Sequence, residues 1–313
     1  MKHSFKVATA FCAVLLLLMA ATLAQTTTYP MVVKHDGGEA KIAQRPQKIV
    51  VLGAISLEVA LAIGLQPVGY GSSPPYVPEN AEVGKIIESI PAYAKLIKTM
   101  PVLVGSSSNP SLEAIKALNA DLIISDARFT ELNSKLNELA PTLAFNFSSA
   151  GSSQRAMDAV GLATGRVARV AEVKRNLERT VALNKALLQD VVAKGKRMNI
   201  FFVTTDSVFR GGVASDTGRQ MTSLGFEVVG VNKDSNLDKV SLESLPLQRA
   251  NVGLIIMSAI APEARKAQVL GLLKKSGISK LFRYDLRADR LITGPISEPL
   301  LLDEYTKLLR GGS

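Results

Sequence analysis

Residues 168–193 have the sequence ARVAEVKRNLERTVALNKALLQDVVA, which contains neither glycine nor proline and is followed by Gly195. The pattern predicts one amphipathic helix of about 26 residues, roughly 39 Å long at 1.5 Å per residue. A helix of this length can connect two separate halves of a chain. Its apolar side chains recur at helical spacing and are Val170, Val173, Leu177, Val181, Leu187, Leu188 and Val191.

Short apolar strands alternate with helical segments on both sides of this helix. Lys48–Leu52 and Asp121–Ser125 are predicted strands before it, and Met198–Thr204 and Val252–Met257 are predicted strands after it. Such alternation indicates parallel βα units. We therefore expect an α/β protein of two lobes with mainly parallel sheets, joined by a single long α-helix, with a ligand crevice between the lobes. The expected units are a first lobe (25–165), the connecting helix (166–195) and a second lobe (196–313).

A weak internal repeat supports two related halves. Ser111-Leu112-Glu113 and Ser241-Leu242-Glu243 each precede an apolar strand. Each serine can cap a helix start, and each glutamate would lie in a first turn, where the helix dipole favours an acid. We expect the same supersecondary block in both lobes.

The amino terminus has the pattern of a secretory signal peptide. Lys2 and Lys6 precede the apolar run Val7–Leu23, which ends in small residues that suit cleavage. We expect residues 1–24 to be removed. An uncleaved anchor is the alternative, because a membrane-spanning helix needs about 20 apolar residues. Cys12 lies inside the apolar run, so we expect no lipid anchor.

The composition restricts the chemistry of the chain. A net charge of +10 with 47% hydrophobic and 20% charged residues is typical of a globular protein. Beyond residue 24 there is no cysteine, and the single histidine, His35, lies in a polar leader before the first predicted strand. Phosphate-loop, G-x-S-x-G and H-E-x-x-H motifs are absent from the sequence, and no basic, aromatic-rich stripe occurs. We therefore expect neither an enzyme nor a nucleic-acid binder.

The loops that follow the predicted strands are the candidate ligand site, because ligands of open α/β sheets bind beyond the carboxyl ends of the strands. Arginine binds planar anions through paired hydrogen bonds, and aromatic rings supply apolar walls. These loops predict a partly apolar, anionic small molecule as the ligand, with no resident cofactor and no metal bound directly. The residues expected to contact it are Tyr70, Ser72, Tyr76, Ser107, Arg128, Phe129, Phe209 and Arg210.

Several blocks, taken in order, identify a family resemblance. They are Arg45–Leu52, Glu58–Gly64, Pro110–Glu113, Ala120–Ile124 and Leu136–Leu143. In this order they resemble the periplasmic substrate-binding proteins of ABC importers for ferric siderophores, haem and cobalamin, whose two lobes are joined by one long helix. The resemblance covers nearly the whole chain after residue 24.

The resemblance implies a transport role without covalent chemistry. A periplasmic monomer would capture a ferric siderophore and deliver it to an inner-membrane ABC permease with its cytoplasmic ATPase. Haem or cobalamin is the alternative ligand, with Tyr70 or Tyr76 available to bind haem iron. A secreted α/β enzyme and a scavenging or signalling component without a permease are less favoured alternatives.

The resemblance also implies docking acids for the permease. Glu58, six residues before Gly64, matches the acid of the first lobe. The equivalent position in the second lobe is Arg219, so Asp216, about one helical turn earlier, is the replacement that we expect. The uncharged loop 106–108 departs from relatives that bind hydroxamates, which carry a basic residue there. We therefore expect an anionic chelate of the catecholate or carboxylate type.

Overall fold

The computed structural model describes residues 27–72, 91–229, 237–258, 260–286 and 294–311. The predicted signal peptide, 1–24, lies outside these ranges. The described chain forms two lobes, each built on one sheet, with a long helix between them. No helix in the described ranges is long and apolar enough to cross a membrane.

The described chain begins with an antiparallel hairpin of β1 (Met31–His35) and β2 (Gly38–Ile42). Its turn is Asp36-Gly37, a dipeptide that favours two-residue hairpin turns. Asp36 forms an ion pair of 2.9 Å with Arg155, and the N–H of Ala144 donates to Nδ1 of His35 at 3.3 Å. The segment expected to be a polar leader is therefore an ordered hairpin attached to the first lobe.

The sheet of the first lobe is entirely parallel and has the strand order β5-β4-β3-β6-β7. Helices cover both faces, which explains why the strands are continuous apolar runs. The strands are β3 (Ile49–Leu52), β4 (Gly69–Ser72), β5 (Val102–Ser106), β6 (Leu122–Asp126) and β7 (Thr142–Phe145). The helices are α1 (Ala54–Ala62), α2 (Pro91–Ala94), α3 (Leu112–Ala117), α4 (Thr130–Leu139) and α5 (Ser152–Ala163).

The linker is α6 (Val167–Leu187), and the shorter α7 (Gln189–Lys194) follows it after a turn at Leu188. Val170 and Val173 pack into the first lobe, whereas Leu177 and Val181 pack against the second. The expected single helix of 26 residues is thus interrupted. The turn places Leu188 fully inside the core of the second lobe, where it is 0% exposed.

The sheet of the second lobe is mixed. Its order is β11-β9-β8-β12-β13, and β10 also pairs with β8. Strands β8, β10, β12 and β13 are parallel, whereas β9 and β11 are antiparallel to their neighbours. The strands are β8 (Arg197–Val203), β9 (Val208–Gly211), β10 (Glu227–Val228), β11 (Leu237–Val240), β12 (Arg249–Met257) and β13 (Gly277–Asp285). The helices are α8 (Asp216–Ser223), a 3-10 helix (Leu242–Leu247), α9 (Glu263–Leu273) and α10 (Ser297–Leu309).

Candidate ligand-binding site

The carboxyl ends of the first-lobe strands surround a cavity of about 460 Å³, which we name the sheet-edge cavity. Every described loop that follows β3, β5, β6 or β7 contributes to it, as expected for a parallel sheet. The lining residues are Leu52, Gly53, Ala54, Ile55, Ser56, Ser107, Ser108, Asp126, Arg128, Phe129, Phe147 and Ser148. Of the residues predicted to contact a ligand, the structure brings Ser107, Arg128 and Phe129 together here.

Arg128 is the cationic side chain of this cavity. Its Nε and Nη2 donate to the carboxylate of Asp126 at 3.0 and 2.7 Å, and its backbone N–H donates to the same carboxylate at 2.9 Å. The guanidinium lies 5.9 Å from the ring centroid of Phe129. Because the side chain of Arg128 is 56% exposed and these bonds use only one edge of its fork, the other edge can bind a planar anion.

The two predicted tyrosines do not line the cavity in the described part of the chain. Tyr70 lies in β4 with 2% of its surface exposed, packed in the core of the first lobe. Burial raises the pKa of Tyr70 to about 12. Tyr70 was predicted to be a crevice residue or an iron ligand. Its side chain instead packs in the core between the sheet and its helices, and not at the sheet edge that forms the cavity. Tyr76 lies outside the described residues.

Ser72 ends β4, with its hydroxyl at a long 3.5 Å from the carbonyl of Gly105. It is half-buried and does not line the sheet-edge cavity. Among the described residues, no group of three or more His, Cys, Asp or Glu side chains is arranged to hold a metal ion.

The second-lobe candidates lie on β9. Nη1 of Arg210 donates to Oε1 of Gln248 at 3.0 Å, and Asp238 is its neighbour on β11. Burial lowers the pKa of Arg210, and the charge of Asp238 opposes that shift. Neither Phe209 nor Arg210 lines the sheet-edge cavity.

Glu58 is fully buried, with 0% of its surface exposed. Its Oε2 accepts the backbone N–H groups of Ile296 and Ser297 at 2.9 and 3.0 Å, and its Oε1 accepts the hydroxyl of Tyr93 at 2.5 Å. Burial raises the pKa of Glu58, and these hydrogen bonds pull it back down. The structure thus differs from the expectation of an exposed docking acid, because Glu58 caps helix α10 of the second lobe from within the first.

Asp216 lines a second cavity of about 540 Å³, which we name the linker cavity because α6 forms one wall. Asp216 begins α8 and is ion-paired with Arg219, and its side chain is 49% exposed. Glu298 also lines this cavity. Burial, followed by the charges of Asp216 and Glu58, raises the pKa of Glu298 to about 7, although Arg219 and Gln220 oppose the shift. This cavity therefore lies at the junction between the lobes, with acidic and basic side chains in its lining.

Comparison with known proteins places this architecture in context. A sequence model of the periplasmic binding protein family matches residues 49–261. Among curated proteins, the chain is 27% identical over 220 residues to an Fe(3+)-citrate-binding protein, YfmC, of Bacillus subtilis, covering 68% of this chain and 64% of that one. It is 26% identical over 220 residues to the Fe(3+) dicitrate-binding periplasmic protein FecB of Escherichia coli, covering 68% and 67%. The chain spans 58% to 67% of the length of the curated relatives that it matches.

Solved structures share the fold over a larger part of the chain. SirA of Staphylococcus aureus, complexed with staphyloferrin B, has a TM-score of 0.69 at 21% identity and covers 90% of this chain and 98% of its own. FhuD of S. pseudintermedius has a TM-score of 0.70 at 18% identity and covers 91% and 99%. FeuA of Bacillus subtilis, complexed with ferri-bacillibactin, has a TM-score of 0.66 at 16% identity and covers 90% and 99%. These likenesses confirm the two-lobe α/β fold with its connecting helix.

Proposed function

The chain belongs to the periplasmic binding protein family, whose members are non-enzymatic transport components, and on that premise we propose that it captures an anionic ferric siderophore for an ABC importer. The observation that carries the proposal is the sheet-edge cavity with Arg128 beside Phe129. An arginine next to an aromatic ring suits a chelate that presents anionic oxygens from an apolar frame.

The relatives support the iron-chelate class. The names of YfmC and FecB specify ferric citrate and ferric dicitrate, and two of the similar solved structures hold staphyloferrin B and ferri-bacillibactin. Haem is less favoured as a ligand because Tyr70, one of the two tyrosines considered as an iron ligand, is buried in the first-lobe core.

Delivery requires a membrane permease and its ATPase as partners, and we propose the periplasm as the site of action, after removal of residues 1–24. Of the two acids expected to dock the permease, Glu58 is enclosed between the lobes and Asp216 is half-exposed. We therefore propose that docking relies on Asp216 and on surfaces other than Glu58, with the protein acting as a monomer.

Native mass spectrometry of protein purified from its own periplasm tests this function. We expect a co-purifying iron chelate. Calorimetric titration with ferric citrate, a ferric catecholate, a ferric hydroxamate, haem and cobalamin should give the tightest binding for one of the first two. Binding of haem or cobalamin alone, chemical conversion of the bound molecule, or binding of none of the five would contradict the proposal.

A further inference from the structure

Helix α1 begins at the wall of the sheet-edge cavity. Its first three residues, with Gly53 before them, line the cavity consecutively. Gly53 has a φ of 98°, a conformation that favours glycine, and it brings no side-chain cap to the helix. No acidic side chain lies in the first turn. The positive end of the helix dipole therefore faces the cavity without a carboxylate in its own first turn, and the acid among the described lining residues is Asp126.

Two backbone donors of this turn, the N–H groups of Ile55 and Ser56, are available within the described part of the chain. Within the described residues, the N–H groups of Ile55 and Ser56 have no hydrogen-bond acceptor, whereas the N–H of Leu57 donates to the carbonyl of Gly53 at 3.1 Å. The first N–H groups of a helix have no partner inside the helix, so they are satisfied by a cap, by water or by a ligand. This end of α1 has two such donors next to a cavity.

Ser56 supplies an independent observation. The residue is 0% exposed, it lines the sheet-edge cavity, and its Oγ has no hydrogen-bond partner within the described part of the chain. A buried hydroxyl without a partner destabilises the fold, so a ligand that accepts from it would recover that free energy. Backbone N–H groups, a buried hydroxyl and a helix dipole together match the needs of a carboxylate or similar oxyanion.

We propose that the first turn of α1, with the Ser56 hydroxyl, is the subsite for a carboxylate-type oxygen of the chelate, and that Arg128 contacts the same anionic ligand from the opposite loop. The inference rests on the proposed function, and it deepens it by naming the residues that would select an anionic chelate over a neutral one. Asp126 does not oppose this selection strongly, because its carboxylate is paired with Arg128 at 2.7 Å.

Two variants test the subsite with ferric citrate as an anionic probe and a ferric trihydroxamate as a neutral one. Ser56→Ala removes the hydroxyl, and Ile55→Pro removes one N–H at the second helical position, where proline is tolerated. We expect each to weaken ferric citrate binding about fivefold to tenfold in calorimetry, with less than twofold change for any neutral chelate that binds.

The chain offers matched controls for both variants. Ser125 is likewise 0% exposed with an unpartnered Oγ within the described residues, but it does not line the cavity, so Ser125→Ala controls for loss of a buried hydroxyl. Ala264 is the second residue of α9 and is exposed, so Ala264→Pro controls for proline in a first turn. Both controls should bind ferric citrate as the wild type does, and circular dichroism checks that all four variants fold.

The possible outcomes distinguish failure of the proposed subsite from failure of the proposed function. Ferric citrate binding that is unchanged in both folded test variants would overturn the subsite and leave the proposed function standing. Wild-type binding of only the neutral chelate would overturn the subsite and the anionic charge proposed for the ligand, and leave capture of a ferric chelate standing. Failure of the wild type to bind any ferric chelate would overturn the proposed function and the subsite together.

Discussion

The two lobes present different helix ends to the space between them. In the first lobe, α1 starts after Gly53, with no side-chain cap and no acid in its first turn. In the second lobe, α8 starts after Ser215, whose hydroxyl accepts the N–H of Gly218 at 3.0 Å, and Asp216 lies in the first turn. The start of α8 therefore has a serine cap and an acid, whereas the start of α1 has neither. We therefore expect the preference for anionic over neutral ligands to depend more on the first lobe than on the second.

The largest effect is expected from removing the hydrogen bonds by which Glu58 of the first lobe caps α10 of the second. Glu58→Ala removes the acceptor of two N–H groups at the start of α10 and leaves a cavity in a buried site. We expect the free energy of unfolding in urea to fall by about 3 kcal/mol. Glu58→Gln, which keeps one side-chain oxygen acceptor, should lose about 1 kcal/mol. Equal, small losses in both variants would mean that the lobes are stable independently of this contact.

Alanine substitutions compare how much Arg128 of the first lobe and Arg210 of the second lobe contribute to ligand binding. Arg128→Ala should weaken binding of the anionic chelate at least tenfold, about 1.4 kcal/mol. Arg210→Ala should change it less than twofold, because Arg210 is bonded to Gln248 and does not line the sheet-edge cavity. Arg283→Ala is a matched control, since Arg283 also forms a bidentate pair with an aspartate two residues away, Asp285. A larger loss for Arg210→Ala than for Arg128→Ala, measured by calorimetry, would reverse the assignment of charge selection to the first lobe.

The contribution of Glu298, in the linker cavity, to the free energy of unfolding should fall as the pH rises through neutrality. The pKa of Glu298 is raised to about 7 in the folded protein, so its neutral form stabilises the fold fully below pH 4.5, and this contribution is lost as the pH rises through 7. We expect the free energy of unfolding to fall between pH 5 and pH 8 by on the order of 1–2 kcal/mol from this group. Glu298→Gln should flatten that part of the profile. A wild-type profile that rises over this window would contradict the assignment.

The hairpin of the first lobe should respond to pH in the opposite direction. Nδ1 of His35 accepts the N–H groups of Gly37 and Ala144, and burial lowers the pKa of His35 below its usual 6.5. Its contribution is therefore present above pH 6.5 and lost as the pH falls below it. His35→Phe should cost about 0.5–1 kcal/mol at pH 7.5 and less at pH 5, in thermal unfolding followed by circular dichroism. The same cost at both values would show that packing, not the acceptor, matters.

Much of the fold could be predicted from periodicity. The strands Ile49–Leu52 and Leu122–Asp126 are continuous apolar runs because both faces of the sheet are buried, and α6 has a clear helical stripe. The proposed internal repeat is only partial. Ser111 caps α3 by accepting the N–H of Ala114 at 3.1 Å, whereas Ser241 makes no such bond and precedes a 3-10 helix that contains Pro246.

The amino-terminal hairpin and the candidate site contain features that the sequence pattern did not predict. The Asp36-Gly37 turn was a local signal for β1 and β2 that the polar composition of the segment obscured. Three of the eight predicted contact residues line the sheet-edge cavity, because strand ends are visible in the sequence. The burial of Glu58 and the position of Ser56 depend on contacts between residues far apart in the chain, so spacing alone could not predict them.

The capping of α10 by Glu58 also affects the order in which the molecule can mature. Synthesis proceeds from the amino terminus, so the first lobe is made before the second. The buried carboxylate of Glu58 nevertheless gains its backbone donors only when Ile296 and Ser297, at the start of α10 in the second lobe, have been made. The first lobe is thus unfinished until α10 of the second lobe has been synthesised, and a truncation that removes α10 would damage the part of the protein that was made first.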